Sequence, residues 1–110
     1  MTTMQDRLKD EMKQAMRDRE KVRLGTIRLI LAAIKQREVD ERIVLDDQQV
    51  LIVLDKMQKQ RRESIRQYRD ASREDLVAVE EAEVLIIQEF LPQALTEEEI
   101  SSMVKAEIGR

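Results

Sequence analysis

Apolar side chains recur every three or four positions along most of this chain, which is the spacing of one face of an α-helix. Near the N-terminus this apolar stripe consists of Met4, Leu8, Met12, Ala15 and Met16. The pattern predicts a first helix from about Thr3 to Arg17.

The second predicted helix is apolar around most of its circumference. It runs from about Arg19 to Glu38, with Asp18 as the expected N-cap residue. Because such a helix is usually buried, we expect it at the centre of the fold. Gly25 inside it costs about 1 kcal/mol relative to alanine, which suggests close approach of a neighbouring backbone or, as the second explanation, a hinge. The apolar residues are Val22, Leu24, Ile27, Leu29, Ile30, Leu31, Ala33 and Ile34.

A third helix follows a short connector formed by residues 43–45. Asp46 or Asp47 is the expected N-cap, and the helix is expected to extend to Ala71. Its core-facing stripe contains one arginine among apolar residues. The stripe is Val50, Leu54, Met57, Arg61, Ile65 and Tyr68.

Capping signals predict two further helices. Ser72 with Asp75 indicates a capping box for a fourth helix that ends before Pro92. Thr96 with Glu99 indicates another, for a short fifth helix over residues 97–108. The predicted apolar face of the fourth helix is Leu76, Val79, Ile86, Ile87 and Phe90.

The composition agrees with an all-α fold, a bundle of about four main helices plus a short C-terminal helix. The 110 residues include only two glycines and one proline, too few for the turns of a sheet protein. Cysteine and histidine are absent, which excludes disulfides, thiolate or imidazole metal sites and histidine-dependent nucleophiles. The longest apolar run, residues 29–34, is far too short to span a membrane. We therefore expect a cytoplasmic protein with no metal, cofactor or membrane contact.

The formal net charge of −3 conceals a basic segment followed by an acidic one. Residues 56–73 contain seven cations and two anions, a net charge of +5. Residues 74–107 contain ten anions and one cation, a net charge of −9. The two segments could bind separate partners or lie against each other.

Within the basic segment, five cations recur at spacings of three and four and form what we call the cationic ribbon. It would lie roughly 120° from the core stripe and extend about 21 Å, long enough to follow several phosphates. Glu63 and Asp70 should lie to one side of it. The ribbon is therefore a candidate RNA-binding surface, although a solvated helix face is the simpler interpretation. With one Tyr and one Phe in the chain, base stacking is not expected. The ribbon consists of Lys59, Arg62, Arg66, Arg69 and Arg73.

Arg61 lies in the core stripe of the third helix, where a guanidinium needs an anionic partner. Glu83 occupies the middle of the apolar face of the fourth helix, so we predict a structural Arg61–Glu83 ion pair. Glu80, Glu81 and Glu83 could also hold a divalent cation, but clusters of this kind are usually solvated. We assign no metal ligand and no catalytic residue.

Three stretches resemble the GatB/YqeY-like family, particularly its stand-alone YqeY-type members. They are DEMKQAMRDREKVRLGTIRLILAAIKQRE, KQRRESIRQY and REDLVAVEEAEVLIIQEFLPQALTEEEI. Ser72 stands where the family usually has glycine, and Phe90 where it often has tyrosine. Chains of this family are expected to continue past the equivalent of Gly109 into further short helices. The resemblance thus implies a YqeY-like helical domain over residues 1–95, and over residues 96–110 the start of a truncated C-terminal helical subdomain.

The family shares this region with the tail of the B subunit of the glutamyl/aspartyl-tRNA amidotransferase. The resemblance therefore implies a tRNA-binding or helper module and an inherited label of carbon–nitrogen ligase with glutamine as amido-N-donor. The alternative is a protein-interaction module that docks on an amidotransferase, a synthetase or the ribosome without RNA contact. An autonomous amidotransferase is disfavoured, because no glutaminase nucleophile or nucleotide-binding glycine loop is visible. We expect no DNA contact.

Overall fold

The computed structural model describes residues 3–92 as four α-helices joined by short turns, and the prediction of an all-α fold is confirmed. The predicted fifth helix and the boundary between residues 95 and 96 lie outside the described residues. The helices are α1 (Met4–Arg17), α2 (Lys21–Glu41), α3 (Asp47–Asp70) and α4 (Glu74–Glu89).

Two of the four helices begin with a capping box, which supplies partners for N–H groups that the helix itself cannot satisfy. At α1, the Thr3 hydroxyl accepts the backbone N–H of Asp6 and the Asp6 carboxylate accepts that of Thr3. At α3, Asp46 and Gln49 form the same reciprocal pair, with N···O distances of 2.8 and 2.9 Å. The predicted starts of both helices are confirmed.

The predicted N-cap of α2 is wrong. Asp18 is the C-cap of α1, and its N–H donates to the carbonyl groups of Gln14 and Met16. The chain then reverses through Arg19, which has a positive φ of 56°. As a result α2 begins later than expected, at Lys21, and it also continues to Glu41.

The predicted capping box at Ser72 is also wrong. An N-cap residue needs extended backbone, whereas Ser72 has a φ of 59°. Arg73 is the N-cap of α4, and its side chain makes no capping hydrogen bond. A left-handed residue is most easily a glycine, which gives a physical reason for the glycine expected here from the family resemblance.

The core forms where α2 meets the other three helices, while α3 and α4 pack along each other. A smaller cluster of Ile65, Val77 and Val84 lies between α3 and α4, with Tyr68 partly buried beside it. The main core consists of Leu8, Ile27, Ile30, Ile34, Leu45, Val50, Val53, Leu54, Met57, Ile87, Phe90 and Leu91.

The buried face of α4 differs from the predicted one. Val79 was expected in the core but is largely exposed, whereas Val77 and Val84 are buried. Apolar residues surround α4, so their periodicity did not define a single face. Val77 and Val84 are buried in the contact with α3. Ile87 and Phe90, at the C-terminal end of α4, are buried in the main core.

Two further observations concern α2. A Cβ atom built on Gly25 would meet nothing within 4 Å, so the predicted close approach of a neighbouring backbone is wrong within this structure. One side of the helix is also exposed at Val22, Leu29 and Val39. None of the four described helices combines the length and the apolar character needed to cross a membrane.

Candidate nucleic-acid interface on helix α3

The cationic ribbon lies on the side of α3 that is turned away from the main core. Buried Val50, Leu54 and Met57 fix the rotation of the helix. The ribbon side chains are exposed by 47% at Lys59 to 72% at Arg66, except for Arg62, which is half-buried. α3 ends at Asp70, so the fifth member, Arg73, belongs to the turn and not to the helix as expected.

At least four of the five ribbon side chains contact a carboxylate. Glu63, which was expected to lie to one side of the ribbon, is one of these carboxylates and pairs with Arg66. Helical spacing brings Asp55 to Lys59 and Glu63 to Arg66, and the packing of α4 on α3 brings Glu81 to Arg69. The pairs are Lys59–Asp55, Arg66–Glu63, Arg69–Glu81 and Arg73–Asp75.

The geometry of these pairs is that of charge-assisted hydrogen bonds. Arg66 Nη2 lies 2.7 Å from both Glu63 oxygens, and this hydrogen bond lowers the pKa of Glu63. Arg73 donates through Nε and Nη2 to the two oxygens of Asp75, at 3.2 and 3.1 Å. The same contact lowers the pKa of Asp75 and raises the pKa of Arg73. These carboxylates offset much of the positive charge of the ribbon.

Three ribbon arginines line one side of a groove between α3 and α4, of about 610 Å³. The apolar lining is provided by Ile65, Val84 and Leu85, and Leu85 is 65% exposed. The surface thus combines guanidinium groups with accessible apolar area. The remaining lining residues are Arg62, Arg66, Arg69, Asp70, Glu81 and Gln88.

The structure places Arg61 and Glu83, which were predicted as partners, in contact across α3 and α4. Arg61 Nε lies 3.1 Å from Glu83 Oε2, and Arg61 Nη1 donates to the Met57 carbonyl at 3.3 Å. Both side chains are about 15% exposed. Burial, and then the nearby charge of Glu83, raise the pKa of Glu80. Arg61 is turned into the α3–α4 contact and is not part of the cationic ribbon.

Two features of this region were not predicted from the sequence. Asp55 is buried, with Oδ2 3.0 Å from Lys59 Nζ and Oδ1 without a hydrogen-bond partner. Its i to i+4 spacing from a lysine is typical of an exposed pair, so the sequence carries no signal of burial. On the other side of the fold, Arg23 pairs with Glu11 and Glu89 and lies over the Phe90 ring, 5.8 Å from its centre. These contacts join three helices, which local periodicity does not reveal.

Within residues 3–92, no three acidic side chains converge closely enough to hold a metal ion. The chemistry available at the ribbon is therefore that of guanidinium and ammonium donors. Such donors bind phosphate or carboxylate groups.

The sequence profile of the family described as Yqey-like protein matches residues 5–110. The chain is similar to the protein of Vanderwaltozyma polyspora named "Altered inheritance of mitochondria protein 41, mitochondrial". The two are 38% identical over 85 residues, and the aligned region covers 76% of this chain and 46% of that protein. The protein of the same name from Pyrenophora tritici-repentis is 34% identical over 102 residues, or 91% of this chain and 56% of the relative. An uncharacterized protein of Schizosaccharomyces pombe is 31% identical over 86 residues, 78% of this chain and 70% of the relative. The chain spans about half the length of the first two of these relatives.

Proposed function

The chain belongs to the Yqey-like protein family, and from this premise we propose that it is a helper module that binds tRNA through the cationic ribbon. The observation that carries the proposal is the linear array of cations on one side of α3, continued by Arg73 in the following turn. Arginine predominates in this array, and its planar fork suits phosphate oxygens better than the point charge of lysine.

The paired carboxylates define how such binding would proceed. Exposed ion pairs are weakly held in water, so a phosphate can replace Glu63 at Arg66 or Glu81 at Arg69. Each replacement exchanges one anion for another, so the net gain is smaller than for an unpaired arginine. We therefore propose weak, backbone-directed binding that follows RNA shape without base stacking.

This proposal assigns a binding role and no catalytic residue. The inherited label of carbon–nitrogen ligase would describe an amidotransferase that the module assists. The names of the relatives from Vanderwaltozyma polyspora and Pyrenophora tritici-repentis contain the word mitochondrial, so the cytoplasmic location expected from the sequence stays a prediction.

A second candidate function is docking on an amidotransferase, a synthetase or the ribosome without RNA contact. It is favoured by the α3–α4 groove, because the exposed Leu85 offers apolar area that phosphate cannot use. In this case the arginines would bind carboxylates of the partner protein.

A titration of labelled tRNA with the whole chain tests the first proposal. At about 50 mM salt we expect saturable binding that weakens linearly in log affinity against log salt, as counterion release requires. A DNA duplex with the same number of phosphates is the control and should bind more weakly. Absence of binding at this salt concentration, or equal binding of the DNA, would rule out tRNA as the target and leave protein docking. Docking would then be supported if a purified amidotransferase or synthetase binds the parent chain and does not bind the Leu85→Gln variant.

A further inference from the structure

Helix α2 is apolar around most of its circumference but is covered on one side only. Its inner side supplies Ile27, Ile30 and Ile34 to the core. On its outer side, Val22 and Val39 are each 60% exposed. The usual reason for an apolar outer face is a further contact, since such helices are normally buried.

The exposed outer side of α2 follows a heptad pattern in which five of the six positions are apolar or small and the sixth is Gln36. Val22, Gly25, Leu29, Ala32, Gln36 and Val39 are separated by three, four, three, four and three positions, and all six are exposed. We call this set the α2 seam. It extends about 26 Å along the helix. A repeat of this kind is the signature of a helix that packs against a second helix.

Gly25 supports the same interpretation. Its φ is not positive, and nothing in the structure lies within 4 Å of the Cβ it lacks. Neither backbone conformation nor packing within the described residues accounts for a glycine in the middle of a helix. Glycine does permit a second backbone to approach closely. Ala32, two turns further along the seam, permits the same approach.

One flank of the α2 seam is uniformly cationic. Lys21, Arg28 and Lys35 recur every seven residues beside the seam, and all three are exposed. Within residues 3–92 none of the three forms a salt bridge, in contrast to the paired side chains of the ribbon. These charges therefore remain available to a partner.

We propose that the α2 seam binds an amphipathic helix of a partner protein, with acidic side chains of that helix facing Lys21, Arg28 and Lys35. The apolar face of the partner would cover Val22, Leu29 and Val39. This site is separate from the cationic ribbon and does not depend on tRNA binding.

Charge determines the choice of occupant. A symmetric antiparallel pair of α2 helices would place the cationic flanks of two copies against each other. RNA would gain nothing from the apolar seam.

An interface confined to one helix face belongs to the small, transient class, so we expect affinity in about the micromolar range.

The test uses two designed helical peptides of about 21 residues, three heptads each. Both carry leucine at the apolar positions. One has glutamate at the flanking positions, and the matched peptide has lysine there. Binding of each labelled peptide to the whole chain is measured by fluorescence anisotropy. The acidic peptide should bind, and the lysine peptide should bind at least about tenfold more weakly because like charges repel.

Two variants locate the site. Gly25→Gln fits the monomer, since no atom lies near the Cβ position, but should lower the affinity for the acidic peptide about tenfold or more by blocking close approach. The triple variant Lys21→Gln, Arg28→Gln and Lys35→Gln should bind the acidic peptide more weakly, and its affinity should depend less on salt concentration. Val79→Gln, at an exposed apolar residue of α4 outside both the seam and the α3–α4 groove, is the matched control and should leave binding unchanged.

Each of five results would overturn the proposal. They are absence of binding by the acidic peptide, undiminished binding by Gly25→Gln, and binding that is lost only in Val79→Gln. The fourth is self-association of the chain that Gly25→Gln abolishes, which would make a second copy the occupant. Affinity for tRNA that depends on the three α2 cations and not on the ribbon would likewise assign the flank to RNA. Thermal unfolding of each variant verifies that the fold is retained.

Discussion

Arg61 of α3 and Glu83 of α4 form an ion pair, with Nε and Oε2 3.1 Å apart, in a contact that leaves each side chain only about 15% exposed. Removing one partner of a buried pair leaves an uncompensated charge, which costs about 3–5 kcal/mol when burial is complete. Since some solvent reaches this pair, we expect Arg61→Ala and Glu83→Ala each to lower the free energy of unfolding by about 2–3 kcal/mol. Urea denaturation measures both values.

The double replacement Arg61→Met with Glu83→Leu is the control. It removes both charges and fills the space with apolar atoms, so it should cost much less than either single alanine variant. A negligible shift of the urea midpoint in both alanine variants would show that the pair contributes nothing to stability.

Gly25 gives a second prediction, of opposite sign. Because the Cβ of alanine has open space at this position, Gly25→Ala should raise the free energy of unfolding by about 1 kcal/mol through helix propensity alone. Ala32→Gly, on the same exposed side of α2, is the matched control and should lower it by a similar amount. Thermal unfolding compares the two. A loss of stability in Gly25→Ala would mean that the backbone of α2 needs the freedom of glycine.

The sequence predicts the helices well where local chemistry decides their ends. Asp46 is an N-cap because its own side chain reaches Gln49, a relation visible in four consecutive residues. Ser72 is misassigned because its left-handed φ depends on how α3 and α4 join. The Arg61–Glu83 contact could be predicted since each charge interrupts an apolar stripe. The Arg69–Glu81 pair could not, because two exposed positions twelve residues apart meet only when α4 packs on α3.

Glu38 provides a prediction about pH. Its carboxylate accepts the N–H of Leu45 at 2.9 Å and an amide hydrogen of Gln5 at 3.1 Å, and these contacts lower its pKa. A carboxyl group whose pKa is lower in the folded state stabilises the fold above its unfolded pKa. That contribution is lost as the pH falls from about 4.5 through the lowered folded value. Glu38→Gln should therefore be less stable than the parent at pH 7, and the difference should shrink in acid. Urea midpoints at pH 7 and pH 3 measure it.

Glu80 should affect stability in the opposite direction to Glu38, because its pKa is shifted upwards. Burial and the charge of Glu83 raise its pKa, so its contribution is present below the unfolded pKa and is lost as the pH rises through the folded value. Glu80→Gln should be more stable than the parent at pH 7 and equal to it in acid. If Glu38→Gln and Glu80→Gln shift stability in the same direction at pH 7, the assigned contacts do not control these two carboxyl groups.

The cationic ribbon is tested by changing Arg62, Arg66 and Arg69 to glutamine, which retains helix propensity. Unpaired cations would each contribute about 0.7–0.9 to the slope of log affinity against log salt. Since Arg66 and Arg69 are already paired with carboxylates, they release fewer counterions. We therefore expect tRNA affinity to fall and the slope to flatten by less than about two to three.

The matched control for that variant is a set of three exposed cations on α1, Lys9, Lys13 and Arg17, also changed to glutamine. Arg7 is unsuitable as a control because its guanidinium donates to the carbonyl of Glu89 and lies over Phe90. Equal losses of tRNA affinity in the two triple variants would indicate general electrostatic attraction. An unchanged affinity in the ribbon variant would identify the arginines as a solvated face.

The carboxylates that pair with the ribbon allow a test in the opposite direction. If phosphate must displace Glu63 from Arg66 and Glu81 from Arg69, then Glu63→Gln with Glu81→Gln releases both arginines and adds two positive charges to the local net. tRNA affinity should rise, and the salt slope should steepen by up to about two, because the released arginines recruit counterions that tRNA then displaces. Asp10→Asn with Glu74→Gln removes the same charge from two exposed positions of α1 and α4 and serves as the control for net charge alone. A protein partner with its own carboxylates would also bind the released arginines better. Only RNA binding predicts the steeper salt slope for a tRNA titration, so a gain confined to the Glu63 and Glu81 variant would assign the ribbon to phosphate. Equal gains in both variants would mean that no specific pair competes with tRNA.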